Sequence, residues 1–482
     1  MRISKIFLKD FRGFPGEYEF ILGEPGKNLL IHGENGAGKS SLFHALDQFL
    51  QASRTKIDIT SHRNIFIEPA EPSIKLDIVA FTESGDRAEG SGTYEWSVES
   101  TPESQALIEE AAKTRGCLDY KALLQTHFVH LKSESVDIFD LLIESLLVHF
   151  ENPISKRLFG EEWKLILERK GAKLTQRERE ELLVIIEKFN QGLKAVIPDV
   201  TYWCNELLKA FDQNVAIDME VCSSAKVTFR PKNFFRPQVH VVADYAGQLL
   251  AGHHRFLNEA RLSAIAIALY LASLMLSPKS RLKVIVLDDV LIGLDMSNRM
   301  PVLKILQTHF PGWQIIILTH DRVWYEMVRH QTQETDWCYY ELHCGKDIEK
   351  GFDRPYSRTI KEGWEHLLQR ARYHLQQHDE RAAAVYARAA FEYKIKKYCE
   401  KKKVRVQYSV DVAEVKANWL WEAIKDKLTA EGKRAAAGAI IADLETYRRV
   451  VLNPFSHETA APVVRAEIEG AINAVEALRH LP

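Results

Sequence analysis

The sequence predicts an α/β fold followed by an all-α C-terminal domain. Three observations carry that prediction. A glycine-rich loop, Gly33 to Ser40, sits between the apolar run Leu29-Leu30-Ile31 and a helical pattern that begins at Ser41. Two later apolar runs, Val284 to Leu287 and Ile315 to Leu318, have the length and continuity of strands buried on both faces. From about Ser357 onward the patterns are helical.

The elements follow in order. Ile3, Ile6 and Leu8 alternate with polar residues and lead into Phe11-Arg12-Gly13-Phe14, which reads as an amphipathic strand. Strands are expected at Tyr18 to Ile21, Leu29 to Ile31, Ser73 to Phe81 and Gly92 to Val98, with a helix over 41–50. Residues 102–150 read as helical. So do residues 161–213, with Gly171, Gly192 and Pro198 as breaks. Strands return at Ala216 to Val221, Lys226 to Phe229 and Gln238 to Ala243, and a long apolar helix covers Asn258 to Leu276. Thr335 to His343 reads as a last edge strand. Helices are expected at 364–375, 381–402, 413–428, 435–452 and 462–478. No internal repeat is visible.

At 482 residues the chain exceeds one ordinary core, so two or three domains are expected. Its 64 basic and 66 acidic side chains nearly cancel, so any nucleic-acid contact has to be a local patch. The six cysteines are scattered and none forms C-x-x-C, which argues against zinc or a disulfide framework and fits a reducing cytoplasm. Met1 to Lys5 has no signal-peptide apolar region, and no stretch reaches the ~20 apolar residues of a membrane span. No membrane partner is expected.

Gly33-Glu34-Asn35-Gly36-Ala37-Gly38-Lys39-Ser40 is the G-x-x-x-x-G-K-[ST] pattern in its strand–loop–helix context. Glycines let backbone N–H groups curl around a polyphosphate, and the helix N-terminus adds a positive dipole end. Lys39 reaches outer phosphates and the Ser40 hydroxyl ligates Mg²⁺. Gly33, Asn35, Gly36, Ala37, Gly38, Lys39, Ser40 and Ser41 are therefore the candidate nucleotide-binding residues. Val284 to Leu287 delivers Asp288 and Asp289 to a strand tip, where Asp288 would hold the metal, directly or through water. Asp289 sits where a base orients or deprotonates the attacking water. Ile315 to Leu318 delivers His320 to the next tip, within reach of a terminal phosphate.

These residues resemble the ATP-binding cassette (ABC) ATPases, in the branch containing RecF and the SMC proteins. Met1-Arg2-Ile3 through Phe11-Arg12-Gly13-Phe14 is similar to that branch's first strand. Gly33 to Ser40 matches Walker A, Val284 to Asp289 Walker B, Leu294-Asp295 the D-loop, and His320 the switch histidine. Leu257-Asn258-Glu259-Ala260-Arg261 resembles the signature motif, and Gln125 the Q-loop glutamine that couples Mg²⁺ to the two lobes. The resemblance implies an α/β, ABC-type (RecF/SMC-like) two-lobed P-loop ATPase head over 1–347, with a helical insertion at about 151–213. It implies ATP and Mg²⁺ as cofactors, with Asp289, His320 and Gln125 catalytic and Ser40, Gln125 and Asp288 around the metal. Asn258 and Asp295 join the nucleotide-binding set. It also implies a homo-oligomer, at least a head-to-head dimer, because one copy's signature covers the other's ATP.

Two departures stand out. The family usually has Ser-Gly-Gly in the signature, where this chain has Asn258-Glu259-Ala260. Asp289 stands where the family has its catalytic Glu. Both suggest slow hydrolysis. The helical stretch is too short for SMC arms, since even one rod over 161–213 would span at most ~80 Å. Armless heads with an appended helical domain resemble the ATPase subunits of anti-phage systems such as Septu and some retrons, which act with a separate nuclease.

The C-terminal domain, 348–482, is expected to dock partners. Arg449 and His457 resemble the Arg–His pair of HEPN ribonucleases, but seven residues separate them where four to six are usual. Turn chemistry around Asn453-Pro454 explains the same residues. The readings left open are a defence switch, a RecF-like DNA-repair ATPase and an RNA-cutting toxin. They differ in whether a nuclease partner, DNA or RNA is engaged.

Overall fold

The computed structural model describes residues 1–81, 87–103, 105–114, 116–120, 135–211, 214–229, 232–291, 294, 296–333, 335–347, 351–359, 363–406, 416–452 and 464–482. Two compact units emerge, Met1–Ile360 and Lys361–Pro482.

The first unit begins with β1 (Arg2–Phe11) and β2 (Phe14–Ile21), followed by β3 (Asn28–Gly33), the glycine-rich loop and α1 (Lys39–Ala52). Then come β4 (Ser73–Val79), β5 (Gly92–Trp96), α2 (Ala106–Thr114), β6 (Cys117–Asp119) and β7 (Val136–Asp137). A helical pair, α3 (Phe159–Lys170) and α4 (Gln176–Leu208), leads to five short strands. These are β8 (Val215–Ser223), β9 (Lys226–Phe229), β10 (Lys232–Phe235), β11 (Gln238–Tyr245) and β12 (Gln248–Leu250). The unit closes with α5 (Glu259–Met275), β13 (Val284–Asp288), α6 (Met296–His309), β14 (Gln314–Thr319), α7 (Arg322–Gln331), β15 (Trp337–Lys346) and β16 (Asp353–Thr359).

Two sheets position the site. One is antiparallel, in the order β2-β1-β4-β5. The other runs β16-β15-β3-β14-β13-β6, parallel except for the β15–β16 pair. Its central strands are apolar on both faces and divide two cores. Val284, Val286, Ile316 and Leu318 face one core with the antiparallel sheet and α1, while Ile285, Leu287, Ile315 and Ile317 face the other with α4 and α5. A third small sheet holds β7, β8, β11 and β12. This α/β unit followed by a helical unit is the architecture expected from the sequence.

Several elements differ from the sequence expectation. Residues 102–150 do not form one helical region: β6 and β7 are strands, and Leu141–Leu146 is a π-helical turn. A three-residue strand is too short to show a period. Gly116 seats β6 against β13, because a Cβ there would lie 1.8 Å from the Val284 carbonyl oxygen. The Gly116 carbonyl accepts from Val286 N at 2.7 Å. The expected breaks at Gly192 and Pro198 do not occur, and α4 runs through both for 33 residues. Gly192 lies against Asn152, where a Cβ would meet Oδ1 at 1.9 Å. Pro198 costs the helix about 3 kcal/mol. Burial of Leu182, Ile186, Phe189, Leu193, Val196 and Val200 offsets that, at roughly 1.5–3 kcal/mol each. Finally, β15 is not the edge, since β16 pairs outside it beyond residue 347.

The second unit packs α8 (Trp364–Gln376), α9 (Glu380–Lys402), α10 (Ala417–Ala430), α11 (Gly438–Tyr447) and α12 (Arg465–Ala477) around Trp421, Phe391, Leu444 and Ile468. The helix expected over 435–452 ends at Tyr447 and passes into a π-helical turn reaching Leu452.

Candidate nucleotide-binding site

The loop between β3 and α1 is shaped by its glycines. Gly36 and Gly38 have φ of +87° and +95°, a region that side-chain-bearing residues rarely adopt. Gly38 also lies close to two neighbours: a Cβ there would meet Phe14 Cζ at 3.0 Å and Pro355 Cγ at 3.1 Å. No side chain caps α1 at Gly38, so the first-turn N–H groups face the loop without a protein acceptor from the cap residue. Asn35 and Gly36 are exposed at the loop tip and Ala37 is buried beneath it. The Ser41 hydroxyl accepts from Gly13 N at 3.2 Å, which ties the β1–β2 turn to the start of α1.

Lys39 is almost fully buried. Its Nζ donates to the carbonyls of Gly33 at 2.8 Å and Glu34 at 3.2 Å, and lies 3.6 Å from Asp289 Oδ2. The sheet order places β14 between β3 and β13, so the tips of all three converge. Asp289 has φ +51°, a left-handed conformation that an aspartate tolerates better than most residues. Its Oδ1 accepts from His320 N at 2.8 Å and lies 2.8 Å from His320 Nδ1. Lys39, Asp289 and His320 thus form one connected chain across three strand tips.

Asp288 is buried at 6% exposure, and its Oδ1 has no hydrogen-bond partner. Burial pushes its carboxyl up to about 6, the neighbouring Asp289 and Asp119 charges add to this, and the Ser40 hydroxyl and Lys39 oppose it. Asp119, at the tip of β6, is the Cα partner of Asp288 across the sheet. A buried carboxylate with an orphaned oxygen beside a hydroxyl is a donor set of hard oxygens. It suits Mg²⁺, which takes one or two carboxylates and completes its shell with phosphate and water. Among the described residues no cluster of three or more His, Cys, Asp or Glu could hold a metal by itself. Ser40 and Asp288 are the residues that would hold such an ion.

Asn258 caps α5, with Oδ1 accepting from Arg261 N at 3.0 Å. Its amide NH₂ remains the donor that a phosphate would use. Glu259 lies exposed in the first turn, where a carboxylate interacts favourably with the helix dipole. His253 and His254 are both buried with rings nearly perpendicular. Gln125, Asp295 and His457 lie outside the described residues. The sequence reading missed Asp119, Arg299 and Asp321. Arg299 donates Nε to Leu294 O at 2.8 Å and Nη1 to Asp321 Oδ2. A lone arginine in the first turns of the helix after Walker B was the available signal.

Among the described residues no helix is long and apolar enough to cross a membrane. No curated protein matches the chain. Solved structures with a similar fold include an SMC head bound to the C-winged helix domain of ScpA, at 14% identity and TM-score 0.41, covering 75% of this chain and 99% of that one. An Smc head with an extended coiled coil, bound to the C-terminal domain of ScpA from Pyrococcus furiosus, gives 14%, 0.43, 78% and 99%. The SMC head domain from Thermotoga maritima gives 12%, 0.36, 75% and 100%. The family model described as RecF/RecN/SMC N terminal domain matches residues 2–335. The chain belongs to that family of ATP-binding ATPase heads.

Proposed function

We propose that this chain is an ATP-operated switch. It binds MgATP in the Gly33–Ser40 loop, hydrolyses it slowly, and pairs head to head with a second copy. In that pairing the Asn258 segment of one copy covers the triphosphate of the other. The observation that carries this reading is the Lys39–Asp289–His320 chain. Lys39 is held by loop carbonyls and by the carboxylate placed for water activation. A γ-phosphate that draws Lys39 away releases Asp289 Oδ2. Loading and catalytic readiness then become one event, a ligand-induced shift between two arrangements. When bound, Mg²⁺ supplies charge neutralisation at the β- and γ-phosphates. Lys39 and the α1 N-terminus hold the phosphates, His320 orients Asp289, and Asp289 accepts the proton from water. The aspartate carries one methylene fewer than the family's glutamate and reaches less far, which supports slow turnover.

The role that fits a slow, armless head with a helical unit is control of a separate nuclease in a cytoplasmic anti-phage complex. The test is the mass of the protein in solution. Wild type with ATP and Mg²⁺ is expected to double in mass, and Lys39→Ala to stay at its nucleotide-free mass. No nucleotide-dependent change in either protein defeats the switch. Nuclease control is checked with a candidate nuclease, one whose gene is found next to this one. Its cutting should change with wild type plus ATP and not with Lys39→Ala.

A further inference from the structure

Two turns must keep their relative position for this site to work. One follows β13 and carries Asp289. The other follows β14 and carries His320. Beyond the direct Asp289–His320 contact, a second link joins them. Arg299, on α6, is 12% exposed at its side chain. Its Nε donates to the carbonyl of Leu294, whose own N–H donates at 3.1 Å to the carbonyl of Leu291, two residues after Asp289. Its Nη1 donates to Asp321, the residue after His320. Asp321 in turn accepts from Trp324 N at 2.9 Å as the cap of α7, and its own N–H donates to Thr319 Oγ1 at 3.1 Å. Burial raises the Asp321 carboxyl, but the Trp324 and Val323 N–H groups and the Arg299 guanidinium hold it below the usual carboxylate range. Arg299, Asp289 and His320 line the same narrow cleft.

We propose that Arg299 is a positioning residue for ATP hydrolysis, a two-armed tether that fixes the His320 turn against the Asp289 turn. The inference rests on the ATPase reading above. A guanidinium suits the task because its planar fork can donate in two directions at once, to a backbone carbonyl and to a carboxylate. An ammonium on a lysine stem reaches one or the other. With Nε and Nη1 both taken by protein acceptors, its effect falls on geometry in the reacting state and not on ground-state nucleotide affinity. A misplacement of about 1 Å in such a constellation costs on the order of 10²-fold in rate.

The test compares Arg299→Ala, Arg299→Lys, Asp321→Asn and the double variant Arg299→Ala/Asp321→Asn. Asparagine remains a good helix cap, so Asp321→Asn removes the charge pairing while α7 keeps its start. Turnover is measured per nucleotide-binding site, counted by bound fluorescent ATP analogue, so that partial misfolding does not pass for slow chemistry. The expected result is a fall in kcat of about 10- to 100-fold in both single alanine and asparagine variants, with ATP affinity within about twofold of wild type. The double variant should lose no more than the worse single one, because both changes cut the same link. Arg299→Lys should restore less than half of the lost rate. Unchanged kcat per site, additive losses, or full rescue by lysine would each overturn the tether. Asp321→Asn keeps the question open to decision if Arg299→Ala does not fold. Failure of the ATPase reading itself has a different signature, namely wild type that neither binds nor turns over ATP.

Discussion

Asp288→Asn is expected to abolish nearly all Mg²⁺-dependent ATP turnover, by about two to three orders of magnitude, while making the nucleotide-free head more stable. Both effects come from the same atoms. The wild-type carboxylate is buried with Oδ1 unpartnered, and its pKa stands at about 6 against an ordinary 3.8. A carboxyl whose folded pKa is raised is penalised when ionised. The penalty is absent below about pH 4, grows through the window between 4 and 6, and is fully present above it. At neutral pH it amounts to about 3 kcal/mol. Asparagine keeps the size and the acceptor without the charge. Thermal melting of the metal-free head should therefore rise by several degrees at pH 7.5 in the variant, and the difference should vanish near pH 4. Adding MgATP should stabilise wild type more than the variant, which keeps the phosphate loop and Lys39 but loses a metal ligand. Equal melting temperatures of the two metal-free proteins at pH 7.5 would show that the orphaned oxygen carries no cost.

Gly116→Ala is expected to be the most damaging single-methyl addition in the head. The added Cβ would stand 1.8 Å from the Val284 carbonyl oxygen, a backbone atom of β13 at its seam with the edge strand β6. Neither side can rotate away. The strands must separate, which breaks the 2.7 Å bond from Val286 N to Gly116 O and shifts β13, the strand that carries Asp288. Overpacking usually costs about 1–3 kcal/mol, and a backbone obstacle belongs at or above the upper end. The expected outcome is a melting temperature lowered by several degrees, together with weaker MgATP binding. Alanine at Gly171, where a Cβ meets nothing within 4 Å, is the control that should leave both unchanged. If Gly116→Ala melts with wild type, β6 does not sit where the sheet order places it.

The parts that were legible in the sequence are those with a strong local signature. Gly33 to Ser40 needed its glycines for φ values that are in fact left-handed at Gly36 and Gly38. Val284 to Leu287 and Ile315 to Leu318 were readable because a strand buried on both faces has no polar positions. Their tips then fixed Asp288, Asp289 and His320. The parts that were not legible depend on distant partners. β6 is three residues long and exists because Gly116 lets two backbones touch. α4 continues through Pro198 because an apolar stripe along its whole length is buried, which no local breaker rule can weigh. Arg299 gives no motif, and its meaning lies in two loops that meet only in the fold. Asp119 fell inside a stretch read as helical, and only the strand register sets it beside Asp288.

The strand β16 has a practical corollary. Its Pro355 rests against Gly38, the Pro355 carbonyl accepts from Tyr18 Oη at 2.9 Å, and Arg354 Nε donates to the same tyrosine at 3.2 Å. The floor of the phosphate loop is thus built partly from residues more than 300 positions away in the chain. A recombinant fragment cut at 347 would leave Gly38 supported by Phe14 alone and the β15 edge bare, an invitation to aggregate. Cut after residue 359, the same fragment would keep its loop supported and its last strand paired.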